Sequence, residues 1–320
     1  MRELSLGEYI KQERIKQGIT QEQLCEGICE PITISRMENG KQIPSYARIR
    51  TFLQRLSLLD NQYFALLSQN ELKIKTLHDE ILADAILFEH SGPEDRSKIR
   101  ETGMQKLAAF GKLAKPDDGI IHQYILAMKG TFGKPGEPYS PKERLELLWE
   151  ALHITVPNCD IEEINHGLYS LDEISLILQI GNIYTKLGQP NKSIDIYRQL
   201  FKYAQKHYHK PAQYAGKFAL IAHNYTKTLF NAGRYDDAID VAEQGRKICV
   251  KYTHYQFLPG LLDFLGGCYF YKRELEKCKE YYRTAHCLYK ITGNDRDRVL
   301  LEEAAKRRLN QKFPFNHSNY

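Results

Sequence analysis

The chain has 320 residues, of which 42% are hydrophobic and 27% charged, and a formal net charge of +5. That length allows two domains and a large core, and the composition is that of a globular protein rather than a disordered or fibrous one. It lacks the run of roughly 18 apolar residues that a membrane crossing needs and any charged-then-apolar leader, and its seven cysteines read as free buried thiols. These features predict a cytoplasmic protein with no membrane partner.

Two helix starts are marked within the first 25 residues. Ser5 with Glu8, and Thr20 with Gln23, match the S/T-x-x-E/Q box that satisfies orphan amide donors. The first helix is predicted from about Leu6 to Gln17, with Leu6 and Ile10 inward and Gly18 as its left-handed stop. The second is predicted from Gln21 to about Ile28, with Leu24 and Ile28 inward. A third starts near Pro31, where proline at the first position sacrifices no hydrogen bond. Ile34 and Met37 face its core side, leaving Pro31, Ile32, Thr33, Ser35 and Arg36 outward. Asn39-Gly40 ends it, and Pro44-Ser45 starts a fourth helix carried inward by Ile49, Phe52 and Leu53.

Residues 5–56, with Thr20-Gln21 and Leu24 in the second helix and Ile34-Ser35, Glu38, Gly40 and Pro44 across the third, resemble the Cro/repressor-type (XRE) helix-turn-helix family. The resemblance implies a recognition helix in the major groove of double-stranded DNA. Gln21 would hold a backbone phosphate, and Ile32, Thr33 and Arg36 would reach base edges, with Ser35 on the same outer face. Arg36 is the candidate for bidentate guanine recognition. Asn39, Gly40 and Lys41 would sit at the DNA backbone and set register. The family also implies a buried pair between Arg14 and Glu38, a structural role. Residues 1–70 hold nine Lys/Arg against eight Asp/Glu, so no strong basic field steers binding. Affinity would come from local placement of Gln21, Arg36, Lys41, Arg48 and Arg50, and from dimerisation.

Beyond this domain, Leu58 to Leu72 reads as a linker helix, amphipathic through Leu59, Tyr63, Leu66 and Leu67. The rest carries almost no strand signal. Helical segments of about 12–18 residues alternate with punctuation such as Ser91-Gly92-Pro93, Gly188-Gln189-Pro190 and Asn231-Ala232-Gly233. One pair is expected over 74–114, and a second brings Gln123-Tyr124-Ile125-Leu126 to a capped helix at Ser140-Pro141-Lys142-Glu143.

Three later lines repeat one grammar. Ile177, Ile180, Gly181 and Tyr184 precede Gly188, then Ser193 and Tyr197. Ala222, Tyr225, Thr226 and Leu229 precede Gly233, then Ala238 and Ala242. Leu262, Leu265, Gly266 and Tyr269 precede Arg273, then Cys278, Tyr282 and Ala285. This is the tetratricopeptide (TPR) pattern, in which a small residue lets two helices cross closely and large ones fill the groove. The third line lacks the turn glycine. Spacings of 45 and 40 residues between Gly181, Thr226 and Gly266 exceed the usual ~34, so helices or loops are extended. The expectation is an all-α chain: a helix-turn-helix domain over 1–57, a linker helix over 58–72, a right-handed TPR-like solenoid over 73–312 with about five helix pairs and a capping helix near 296–310, and a tail over 313–320.

The first helix of each repeat lines the concave side of such a solenoid. Asn182 and Asn224 flank the small central positions, and resemble the asparagines with which peptide-clamping TPR domains bond a ligand's backbone. An amide donates and accepts at once, which suits a peptide bond. Lys186 and Lys227 could pair with a carboxylate, while Leu178, Phe230, Phe264 and Phe270 could hold apolar side chains.

An XRE domain followed by long irregular TPR pairs resembles the RRNPP regulators of Gram-positive bacteria (Rgg, Rap, NprR, PlcR and PrgX). That resemblance implies a homodimeric transcription factor whose repeat surface binds a short signalling peptide in quorum sensing. Peptide binding would change the spacing of two recognition helices. The alternative is a repeat domain that binds a protein partner. Cys25 and Cys29, four apart, have no second Cys/His pair to complete a metal site. No catalytic constellation is present, so neither enzyme activity nor a cofactor is expected.

Overall fold

The computed structural model describes residues 5–59, 68–113, 115, 118–134, 138–208 and 212–310. It is built of helices, with no strand among the described residues: α1 (Leu6–Lys16), α2 (Gln21–Cys25), α3 (Pro31–Glu38), α4 (Tyr46–Arg55), α5 (Gln69–His90), α6 (Pro93–Leu113), α7 (Gly119–Phe132), α8 (Pro141–Thr155), a 3-10 turn Ile161–His166, α9 (Leu171–Lys186), α10 (Pro190–His207), α11 (Ala212–Asn231), α12 (Tyr235–Lys251), α13 (Leu258–Tyr271), α14 (Leu275–Ile291) and α15 (Asp295–Leu309). Within the first unit α5 packs on α6, α6 on α7, α7 on α8 and α8 on α9, and within the second α10 packs on α11, α11 on α12, α12 on α13, α13 on α14 and α14 on α15. Two compact units divide the chain, residues 1–188 and 189–320.

In the first unit, α1 to α4 enclose a core of Ile10, Leu24, Ile34, Met37, Ile49, Phe52 and Leu53. The capping boxes at Ser5/Glu8 and Thr20/Gln23 form with both reciprocal bonds. The second helix is shorter than its sequence predicts, ending at Cys25 rather than Ile28. Glu26 leaves helical geometry, and Gly27 takes φ +70° with its backbone laid against the last residue of α8. A Cβ at Gly27 would strike the Thr155 carbonyl. The helix stops where it meets another element of the same unit.

That meeting surface is polar and specific. Arg55, at the end of α4 and 2% exposed, sends Nη1 to the carbonyls of Leu24 (3.1 Å) and Glu26 (2.8 Å). Its Nη2 reaches across to the Thr155 carbonyl (2.9 Å) and to Glu173 Oε1 (2.9 Å) in the first turn of α9. Glu173, 1% exposed, also accepts from the Ser170 amide at 2.6 Å, so one carboxylate caps α9 and anchors the helix-turn-helix domain. Around this pair the Leu171 amide donates to Gln54 (3.0 Å), Asn158 donates to Glu26 (2.8 Å), and Arg50 pairs with Asp172 (3.3 Å). The expectation that Arg50 serves DNA is thereby corrected: its guanidinium is held by an acidic residue of α9.

The linker is also redrawn. Leu58 and Leu59 are not helical, and α5 starts at Gln69 behind a Ser68/Glu71 capping box. Tyr63, Leu66 and Leu67 lie outside the described residues, as does the tail over 313–320. Helix α5 runs without a break through the boundary expected at residue 72.

In the second unit α11 to α15 stack on Ala219, Ala242, Leu261, Leu265, Cys278, Tyr282, Ala285 and Leu301. Gly266 is the small residue that lets α13 and α14 cross, since a Cβ there would strike the Tyr282 ring. Arg273 occupies the turn position that Gly188 and Gly233 fill elsewhere, and it adopts the same left-handed backbone, φ +63° against +72° and +74°. The turn geometry is thus kept without the residue that adopts it most readily.

Removing one partner of a buried ion pair costs about 3–5 kcal/mol, so Arg55→Ala is expected to loosen the helix-turn-helix domain from α8 and α9. Limited proteolysis of the full chain should release an N-terminal fragment at least several-fold faster. An unchanged cleavage rate and melting profile would refute the anchoring role.

Candidate functional site

The helix-turn-helix surface is built from a buried framework outward. Ile34 and Met37 (0% and 4% exposed) fix the roll of α3 about its axis. Arg14 locks it end-on: Nε and Nη2 donate to the two Glu38 oxygens at 2.7 and 3.0 Å, and Nη1 donates to the Ile19 carbonyl at 2.7 Å. The buried Arg14–Glu38 pair expected from the family resemblance is therefore present, as a two-pronged contact. Gln21 joins the same network, its amide donating to Glu38 Oε2 at 2.7 Å. A phosphate held by Gln21 would take the second amide proton, because the first is engaged.

With α3 fixed this way, Ile32 (55% exposed), Arg36 and Asn39 project outward, Lys41 follows beyond the helix, and Thr33 and Ser35 are half-buried on the flanks. Asn39 is turned back to cap the helix, its Nδ2 donating to the Ser35 carbonyl at 2.7 Å. An isoleucine left in water beside an arginine, on a helix whose other face is fully used, is a surface shaped for contact.

The residues expected on the repeat surface fall in both units. Asn182 and Lys186 are exposed on α9, in the first unit. Leu178, expected to hold a ligand's apolar side chain, is instead 3% exposed and part of the core, because it points into the packing of its own unit.

Asn224, Lys227 and Phe230 lie on α11 of the second unit and Phe264 on α13, and the two phenylalanine rings meet. His223 and Phe264 meet edge to face at 5.6 Å, Phe264 and Phe230 at 5.5 Å, and Phe230 and Tyr271 at 5.9 Å, with Tyr235 stacked on Tyr271 at 4.5 Å. Arg308 of α15 lies over both Phe230 (5.3 Å) and Tyr271 (5.7 Å) and bonds the Tyr282 hydroxyl. Asn224 accepts from the His223 ring across 3.4 Å when Nδ1 carries the proton, which leaves its amide protons for a ligand. Burial pushes the His223 imidazole down to about 4, so it is neutral at physiological pH. The glycines Gly260 and Gly267 keep this face shallow: a Cβ at the first would crowd His223 at 2.6 Å, and at the second Phe230 at 2.8 Å.

Sequence reading identified the two phenylalanines, the asparagine and the lysine here but missed His223, Tyr271 and Arg308. His223 lies one residue before Asn224 in the first-helix grammar and could have been found. Arg308 lies on the terminal helix, outside the repeat lines, and carried no signal. All seven cysteines are free, with Cys25 buried and Cys29 half-buried.

Comparison with known proteins places names on these two regions. A helix-turn-helix family model matches residues 10–57, and the RNPP family C-terminal domain matches residues 152–308. No curated protein sequence matches the chain. Among solved structures, it is similar to Bacillus thuringiensis PlcR in complex with the peptide PapR7 and DNA (20% identity, TM-score 0.54, covering 92% of this chain and 98% of that one). It is likewise similar to PlcR in its apo form (19% identity, TM-score 0.56, covering 92% and 97%). At this identity the likeness is one of fold.

The geometry separates framework from contact residues. Glu38→Ala, which strands Arg14 in the interior, is expected to destabilise the domain by about 3–5 kcal/mol, whereas Arg36→Ala on the exposed face should stay within about 0.5 kcal/mol of the parent. Calorimetric melting of both variants checks this, and comparable losses in the two would contradict the assignment.

Proposed function

We propose that this chain, which belongs to the RNPP family with an XRE-type helix-turn-helix at its N-terminus, is a cytoplasmic transcription regulator that binds its operator as a homodimer and responds to a short signalling peptide held by its TPR-like repeats. The observation that carries the DNA half is the outward face of α3, with Ile32, Thr33, Ser35 and Arg36 presented by a helix whose roll is fixed by Ile34, Met37 and the Arg14–Glu38 pair. In the major groove Arg36 would bond a guanine with two parallel donors, Ile32 and Thr33 would meet neighbouring base edges, and Gln21, Asn39 and Lys41 would hold the phosphates. Two copies place two such helices about one DNA turn apart, ~34–36 Å.

The peptide half rests on Asn224, Lys227, Phe230 and Phe264 together on the second unit, and on Asn182 and Lys186 exposed on the first. The asparagines would bond the peptide backbone, the lysines a carboxylate, and the aromatic rings an apolar side chain. PlcR, with this fold, has been crystallised with a peptide and DNA together, the same pair of ligands proposed here.

The test is DNA binding by the full chain to its own upstream region, with and without synthetic peptides from small reading frames beside its gene. Arg36→Ala is expected to reduce operator affinity about 5- to 150-fold and leave non-specific binding unchanged. Asn224→Ala is expected to keep operator binding and lose the peptide response. If DNA binds and none of the peptides changes affinity or footprint, the repeats read a protein partner instead, and a pull-down through them is the next experiment.

A further inference from the structure

Asp263, on α13 one residue before Phe264, is a carboxylate that the second unit leaves unused. It is half-buried, and it makes no hydrogen bond or ion pair with any described residue. No charged neighbour among the described residues comes within ion-pair distance of it. Asp297, at the start of α15, is held by Asn294 (2.8 Å) and adds to the negative potential. Arg308 attracts Asp263 from a distance, but its guanidinium is engaged with the Tyr282 hydroxyl and lies over Phe230 and Tyr271. From α11 the facing groups are neutral His223 and, beyond it, Lys227; from α14 they are the Cys278 thiol, pushed up by burial, and the buried phenols of Tyr282 and Tyr289. An unpaired half-buried carboxylate carries a desolvation penalty that is relieved either by taking up a proton or by a cation brought from outside the chain.

We infer that Asp263 is the specificity residue of the repeat surface, receiving a basic group of the bound peptide, a lysine or arginine side chain, while the adjoining Phe230–Phe264–Tyr271 rings take the apolar residue next to it. This deepens the peptide reading above and rests on it. Lys227, exposed and without an ion pair among the described residues, offers the opposite charge on the same unit.

Burial, reinforced by Asp297 and opposed by Arg308, raises the Asp263 carboxyl to about 7. A cationic ligand binds the ionised form, so its apparent affinity falls as the carboxyl takes up a proton. Between pH 8 and pH 6 the competent fraction drops about tenfold. The surrounding groups do not mimic this, because His223 is already neutral throughout that range.

The experiment uses the purified full chain on arrays of acetylated, amidated heptapeptides with one position fixed as lysine, arginine, norleucine or glutamate and the others randomised. The parent protein should retain lysine or arginine peptides at least about tenfold better than norleucine ones at pH 8, with the ratio shrinking toward pH 6. Asp263→Asn, nearly isosteric, should melt as the parent does, keep norleucine peptides, and lose both the basic preference and its pH dependence. Asp263→Lys should shift the preference to glutamate. A basic preference that survives Asp263→Asn, or a parent that retains peptides with no such preference, overturns the assignment of Asp263 alone. A parent that retains no peptide of any composition overturns the peptide reading beneath it.

Discussion

The arrangement of the first unit depends on Arg55. Its two terminal nitrogens bind four oxygens, two from the helix-turn-helix domain it belongs to and two from the repeats. A guanidinium is fit for this because its donors are planar, fixed in a fork and charged at every physiological pH. The desolvation of the pair is offset by these bonds and by the second duty of Glu173 as the cap of α9. Nε of Arg55 is left without a partner, so the geometry is a compromise set by three carbonyls and the Glu173 carboxylate. The contact area around it includes a glycine with no room for a side chain, which adds a steric requirement to the electrostatic one.

The helix-turn-helix domain was legible because its information is local. Caps at Ser5 and Thr20, the proline at the start of α3, and the three-residue spacing of Ile34 and Met37 each act within one or two turns. The repeats were legible for the same reason, since each pair restates a pattern that neighbouring pairs complete. The exception at Arg273 is informative, because the fold imposes the left-handed turn even where the sequence offers no glycine. Tertiary packing there overrides local preference.

What sequence could not supply was pairing over long separations. Arg55 and Glu173 are 118 positions apart, and Arg50 was read as a DNA contact because nothing near it in the chain announces Asp172. The early end of α2 has the same origin: Ile28 fits the helical period, but Gly27 must lie flat on Thr155. Leu178 illustrates the complementary error. It has the right period for a surface stripe, yet α9 is buried on more than one face, and periodicity alone cannot say how wide the buried arc is. On the repeat surface the repeat grammar pointed to Phe230, Phe264 and Asn224, of which the two rings meet, whereas Arg308 reaches Phe230 from the final helix.

If Asn182 contacts a peptide as proposed, helix α9 would join the two functions within the first unit. Glu173 in its first turn holds Arg55, and Asn182 lies nine residues further along the same helix, about 13–14 Å at 1.5 Å per residue. A helix of this length moves as a rigid rod, so a ligand on Asn182 that shifted or tilted α9 would be felt at Glu173 and Thr155. The polar contact there has little tolerance for sliding, because four hydrogen bonds and a glycine without clearance must be kept together. Such an element has discrete arrangements rather than a continuum of them. A peptide would bias them only by the difference in its affinity for each, and α9 is the one helix of the unit on which both the expected ligand contact and the anchor of the DNA-binding domain reside.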